Sequence, residues 1–197
     1  TVKCYLAAQM ELEMAMESLI RQLEEAGIAD DTVIVISPDH YPYALERSAT
    51  WGNAENYLTE LYGVTEMDRF ARDSNALIIW SGCLEDKNLK VETPVYSLDI
   101  LPTLSNLFGL NYDSRLLVGR DVFSDTEPLV LWPEYSWKTD KGTYDSGSRT
   151  FTPAEGVEVD DSYVDRIKAI VSNKISYSRE VQNLKYFQVL SDFLNGK

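Results

Sequence analysis

The stretch Thr32-Val33-Ile34-Val35-Ile36-Ser37 constrains this chain more than any other. β-Branched side chains lose rotamer freedom in a helix and pack well on a pleated surface, so the run reads as a strand. It does not alternate apolar with polar residues. Both faces therefore need cover, as in a central strand of a parallel sheet flanked by helices. Upstream, Leu12, Met16, Leu19, Ile20 and Leu23 fall at i, i+4, i+7, i+8 and i+11, which predicts a helix from Val2 to about Ala26 with one apolar stripe. Gly27 stands where a left-handed residue would close that helix, and Ala29-Asp30-Asp31 makes the turn into the strand. Helix, short turn and covered strand form half of a βαβ unit.

The remaining chain follows the same grammar. Asn53–Tyr62 reads as a short helix closed by Gly63, and Ala76-Leu77-Ile78-Ile79-Trp80 as a second buried strand. Ser97–Phe108 reads as a helix whose early Pro102 is tolerated because first-turn N–H groups lack partners anyway. Leu129–Trp132 is a third strand, and Asp140-Lys141-Gly142 joins the two arms of a β-hairpin. Thr150–Val159 reads as a linker. Beyond it Tyr163, Ile167, Ile170 and Val171 mark one helical stripe, and Leu184, Phe187, Leu190 and Leu194 another. The predicted class is α/β: part of a mostly parallel sheet flanked by helices, with a small β-hairpin region and a C-terminal helical tail. Residues 1–150 are expected to form the main domain and residues 151–197 a tail packing on it.

With 18 basic against 32 acidic residues, the net charge of −14 repels the phosphate backbone, which excludes nucleic acid as a partner. No apolar run approaches the roughly 20 residues needed to cross a bilayer, so the chain itself is expected to be soluble. It begins at Thr1 and enters the helical pattern directly, which reads as a fragment. Cys4 and Cys83 lie far apart and outside any CxxC pattern, and are expected to be buried free thiols.

His40 is the only histidine, and it follows Asp39 just past the carboxyl end of the first strand, where α/β sheets gather their ligands. A carboxylate and a neutral imidazole suit Zn²⁺ or Mn²⁺. The plain alternative is a solvated turn, and two donors are fewer than a metal site needs.

Three ordered blocks carry a resemblance. Leu23-Glu24-Glu25-Ala26-Gly27-Ile28-Ala29-Asp30-Asp31-Thr32-Val33-Ile34-Val35-Ile36, leading into Asp39-His40-Tyr41, is similar to the segment before the metal-binding Asp-His of sulfatases and lipoteichoic acid synthases. Ser97-Leu98-Asp99-Ile100-Leu101-Pro102-Thr103-Leu104 resembles that superfamily's Asp-Ile-x-Pro-Thr-Leu helix. Leu117-Val118-Gly119-Arg120-Asp121-Val122-Phe123 resembles the Gly-x-Asp-Leu-Phe turn after it. The tyrosine in Asp-His-Tyr points towards phosphoglycerol transferases, since ordinary sulfatases more often carry Asp-His-Gly.

The resemblance implies an alkaline-phosphatase-like α/β core. In it a threonine nucleophile attacks a phosphodiester with the help of one divalent metal, Mn²⁺ by preference, with Zn²⁺, Mg²⁺ or Ca²⁺ as alternatives. Asp39 and His40 match the metal-ligating pair. The nucleophile, the remaining ligand acid and the main substrate-binding residues would lie in a preceding N-terminal half, so no catalytic residue is expected in this chain. That half and an anionic lipid or polymer substrate are the implied partners, and a cell membrane with an extracellular catalytic domain is the implied location. The chain departs from the pattern at Pro42, where the family usually has Gly, and at Ala44, near a substrate-contacting Ser.

Tyr41 and Trp51 are candidates for the wall of a substrate site. Trp80 and Trp132 are expected in the core. Arg47 and Arg69 are potential phosphate partners, with surface ion pairing as the plainer role. Asp99 is expected to cap or open its helix rather than act catalytically. Two other readings are a sulfatase hydrolysing sulfate esters and a non-catalytic interaction domain that keeps the sheet.

Overall fold

The computed structural model describes residues 1–46, 57–87 and 89–196. The chain divides into two units, Thr1–Leu89 and Lys90–Lys197.

The first unit opens with α1 (Val2–Glu25), the predicted helix. Gly27 at φ 70° ends it. The Gly27 N–H donates to Glu24 and the Ile28 N–H to Leu23, a Schellman closure that satisfies carbonyls the last turn leaves open. Only Val2 of α1 is buried; Leu12 is 54% exposed. The turn that follows is held by Thr32 Oγ1 donating to the Ile28 carbonyl at 2.8 Å. It leads into β1 (Ile34–Ile36). Short helices α2 (Tyr57–Tyr62) and α3 (Arg69–Arg72) precede β2 (Ile78–Trp80). The first residues of the predicted Asn53–Tyr62 helix lie outside the described residues.

β1 and β2 pair antiparallel, with Ile34 opposite Trp80 and Ile36 opposite Ile78. This corrects the parallel arrangement expected for them. A continuous apolar run shows that both faces favour cover, but it carries no information on strand direction. Burial is also less complete than expected: all of β1 is half-buried and Ile78 is 50% exposed. Gly82 closes the strand end tightly, because a Cβ there would stand 2.5 Å from Asp30 Oδ1 and 3.0 Å from the Ala29 carbonyl carbon.

The second unit begins with a 3₁₀ turn, Ser97–Asp99, running into α4 (Ile100–Leu107). A four-stranded antiparallel sheet follows in sequential order: β3 (Val130–Leu131), β4 (Trp137–Thr139), β5 (Gly142–Asp145) and β6 (Thr150–Pro153). The predicted hairpin is β4–β5, with Thr139 opposite Gly142. Gly142 has φ 152° and meets β6 so closely that a Cβ would stand 2.4 Å from the Thr152 carbonyl oxygen.

The expected linker at Thr150–Val159 is corrected at its start, where Thr150–Pro153 forms the edge strand β6. The alternation Thr150-Phe151-Thr152 carried that signal, and an edge position tolerates Pro153. Helix α5 (Tyr163–Asn183) covers the sheet. Trp137, Tyr144, Tyr163, Ile167 and Val171 form its buried core, with Phe151 packed against them. Trp137 stacks on Tyr144 at 5.5 Å and meets Tyr163 edge-on at 6.1 Å. The tryptophans expected in the core, Trp80 and Trp132, are half-buried; among the described residues the fully buried one is Trp137. Ile170 lies at the margin of the α5 stripe, and α6 (Tyr186–Leu194) exposes Phe187 and Leu194. Cys4 and Cys83 are free as expected, but exposed rather than buried.

Candidate functional site

β1 ends at Ile36, and the chain leaves it through Ser37 and Pro38 to Asp39 and His40. The two side chains point at one another: His40 Nε2 lies 3.3 Å from Asp39 Oδ1. Both are open to solvent, with side-chain exposures of 51% and 86% respectively. The other ring nitrogen, His40 Nδ1, lies 2.8 Å from the carbonyl oxygen of Tyr41. A carbonyl can only accept, so this contact is a hydrogen bond when Nδ1 carries the proton. In the neutral ring Nε2 then presents a lone pair to the carboxylate. Two acceptors in contact need a cation or a proton between them.

The spacing fits a shared ion. Two donors each about 2.1 Å from one ion lie about 3.0 to 3.4 Å apart for octahedral to tetrahedral angles. A ligating histidine also commonly donates its second N–H to a carbonyl or carboxylate. The donor count is short, however. Among the described residues, no group of three or more His, Cys, Asp or Glu side chains converges as a metal site. The pair thus supplies part of a coordination shell and needs further ligands.

The loop beyond the pair is tightly organised. Pro42, at φ −73°, starts a 3₁₀ turn over Tyr43–Leu45, and Leu45 is buried. The Tyr43 N–H donates to the Tyr41 carbonyl at 2.7 Å, so that one oxygen serves both Tyr43 and His40. The His40 ring packs 4.5 Å from the Tyr43 ring. The Tyr41 hydroxyl donates to Glu46 Oε2, and the Arg72 guanidinium sits 4.2 Å above its ring. Arg72 also bonds Glu46 at 3.1 Å and Asp73 at 3.0 Å. The Glu46 bond, above all, raises the Tyr41 hydroxyl pKa above its ordinary value. Glu46 and Arg72, missed in the sequence, meet across 26 positions and carry no local motif.

The site-wall candidate Trp51 and the phosphate candidate Arg47 lie outside the described residues. Arg69 stacks over Phe70 at 4.7 Å. An open cavity of about 490 Å³ is lined by Arg69, Arg72, Glu46, Glu66, Thr59, Thr65 and Met67; Asp39 and His40 stand outside this lining.

The other two sequence blocks meet within the second unit and serve structure. Asp99 is 1% exposed and accepts the Arg120 N–H at 2.8 Å and the Tyr96 N–H at 3.2 Å. Thr103 Oγ1 donates to the Asp99 carbonyl at 2.6 Å and accepts from the Val122 N–H at 3.1 Å. Gly119 passes so close to α4's entry turn that a Cβ would fall 2.0 Å from the Leu98 carbonyl oxygen. Asp99 therefore ties the Gly119–Val122 turn to the helix start; it stands at the first turn as expected, but as N-cap of α4 its side chain makes no capping bond to that helix.

The chain is similar to several known proteins. A lipoteichoic acid synthase from Staphylococcus saprophyticus is 27% identical over 136 residues, covering 66% of this chain and 20% of that protein. Lipoteichoic acid synthase 2 of Bacillus subtilis is 23% identical over 185 residues, covering 91% of this chain and 27% of that protein. A lipoteichoic acid synthase of Staphylococcus aureus is 27% identical over 137 residues, covering 66% and 19%. The chain spans about a fifth to a quarter of these relatives' length. The sulfatase family model matches residues 1–110, more than half of the chain and the whole stretch from α1 through the Asp39-His40 loop to α4, so the chain belongs to the sulfatase family.

Proposed function

We propose that this chain is the C-terminal part of the catalytic domain of a phosphoglycerol transferase of the lipoteichoic acid synthase kind, acting on a phosphodiester at the cell envelope. The observation that carries the reading is the pair at the end of β1: Asp39 and His40, 3.3 Å apart, with the imidazole oriented by the Tyr41 carbonyl. These two would hold one divalent ion, Mn²⁺ by preference. When bound, that ion would polarise a phosphoryl oxygen and offset its growing charge.

The chain's own residues have limited parts. Asp39 provides a fixed negative charge at the rim. His40 presents Nε2 to Asp39 while its Nδ1 faces the Tyr41 carbonyl. Pro42 stiffens the exit from the pair. The threonine nucleophile and the rest of the shell would come from a preceding segment, as would the membrane anchor; among the described residues no helix is long and apolar enough to cross a membrane. On this reading the chain alone binds metal weakly and turns nothing over, because half a coordination shell cannot hold an ion firmly.

Calorimetric titration with Mn²⁺ tests this. Weak binding, lost in Asp39→Ala and in His40→Ala, supports it. Tight binding that survives Asp39→Ala contradicts it. Sustained turnover of an activated phosphodiester by the chain, abolished by His40→Ala, would overturn the dependence on a second half.

A further inference from the structure

Arg72 has no place in the three sequence blocks, yet its side chain makes three contacts at the base of the Asp39-His40 loop. It covers the Tyr41 ring at 4.2 Å, bonds Glu46 Oε1 at 3.1 Å, and bonds Asp73 Oδ1 at 3.0 Å. Glu46 in turn accepts the Tyr41 hydroxyl through its other oxygen. Tyr41 is thereby gripped on one ring face and at its tip. Its carbonyl, on the same residue, receives His40 Nδ1 at 2.8 Å.

The helix that carries Arg72 is itself anchored, since Asp68 caps α3 by accepting the Ala71 N–H at 2.8 Å. The exposed imidazole has few other restraints: the flank of Tyr43 at 4.5 Å and the Asp39 carboxylate. A half-exposed ring on a loop rotates freely unless something fixes the backbone it bonds to.

We propose that Arg72 and Glu46 are positioning residues for the metal pair: acting through Tyr41, they hold the carbonyl that His40 Nδ1 faces and so keep the imidazole with its Nε2 turned to Asp39. Tyr41 is then the link of this clamp rather than a wall for substrate. The proposal rests on the reading of Asp39 and His40 as metal ligands for its consequence, but not for its geometry. Removing a partner of this kind from a ligating histidine typically weakens metal binding by about 10- to 100-fold.

The chain's single histidine makes the test direct. Nuclear Overhauser contacts between the His40 and Tyr43 rings, recorded on the whole chain without metal, report whether the imidazole is held where the structure places it, 4.5 Å from Tyr43. Wild type is expected to show them. In Arg72→Met and in Glu46→Ala they should be lost as the ring is released. Glu46 is at the surface, so its substitution leaves the fold intact even if Arg72→Met does not. Unchanged ring contacts in Glu46→Ala and Arg72→Met overturn the clamp, whatever the metal does.

Broadening of the His40 signals by added Mn²⁺ supplies the second readout. The concentration for half-broadening should rise about tenfold in either variant. No rise, with Asp39→Asn abolishing the effect, refutes the clamp while the ligand reading stands. No broadening in wild type defeats the ligand reading, and the ring-contact comparison still decides the clamp.

Discussion

Replacing Asp99 by alanine tests the structural account of the second unit most sharply. The carboxylate lies in a site 1% exposed and accepts two backbone N–H groups, from Tyr96 and Arg120. An alanine leaves both donors buried without an acceptor, at about 1 to 3 kcal/mol each. Against this stands the desolvation that the buried carboxylate no longer suffers. That burial is the main reason its pKa is raised above the ordinary 3.8, the two N–H bonds pulling the other way. The two losses outweigh the one relief, so a net destabilisation of about 2 to 4 kcal/mol is expected at neutral pH.

Asp99→Asn keeps one acceptor oxygen and should cost about half as much. The sign with pH follows from the raised pKa. Folding favours the protonated carboxyl, so wild type loses stability as pH rises from 3.8 through the folded value. The gap between wild type and Asp99→Ala should therefore narrow as pH rises from 3.8 through the raised folded value. Urea unfolding followed by circular dichroism measures these gaps, and amide exchange at Arg120 localises them. An alanine variant within about 1 kcal/mol of wild type, or one less damaging than asparagine, would refute the reasoning.

Two further outcomes are expected. Gly119→Ala should destabilise the second unit by about 3 kcal/mol, because the new methyl would lie 2.0 Å from the Leu98 carbonyl oxygen, which is backbone and cannot swing aside; a thermal midpoint equal to wild type would show that the turn can shift. Asp113 is held down to about 2 by hydrogen bonds from the Arg115 side chain and backbone. Its contribution is present above 3.8 and lost as pH falls towards 2. In Arg115→Met its carboxyl titration, followed by NMR, should move back up, and an unmoved titration would exclude the chelate.

Much of the local structure is legible in the residues alone. The spacing of apolar positions, Gly27 at the end of α1 and the Asp140-Lys141 turn each act over a few residues, and each sits as the sequence predicts. The Asp-His pair was legible too, since a short loop after a strand necessarily places neighbours together. Burial was read less well. Trp80 and Trp132 occupy apolar runs yet remain half-buried, whereas Trp137, between Ser136 and Lys138, is the centre of the core. Alternation across a hairpin decides that, and a tryptophan among polar neighbours is the sign of it.

Local pattern by itself thus determined where most helices, strands and turns lie, though not the edge strand Thr150–Pro153, and that an acid and an imidazole leave β1 side by side. Tertiary structure alone decided strand direction, since an antiparallel β1–β2 pair and a parallel one need the same apolar residues. It also decided that Asp99 reaches Arg120 across 21 positions and that Arg72 reaches Glu46 across 26. Such bonds depend on how the chain returns through space, and charged side chains far apart in sequence carry no period that reveals their meeting.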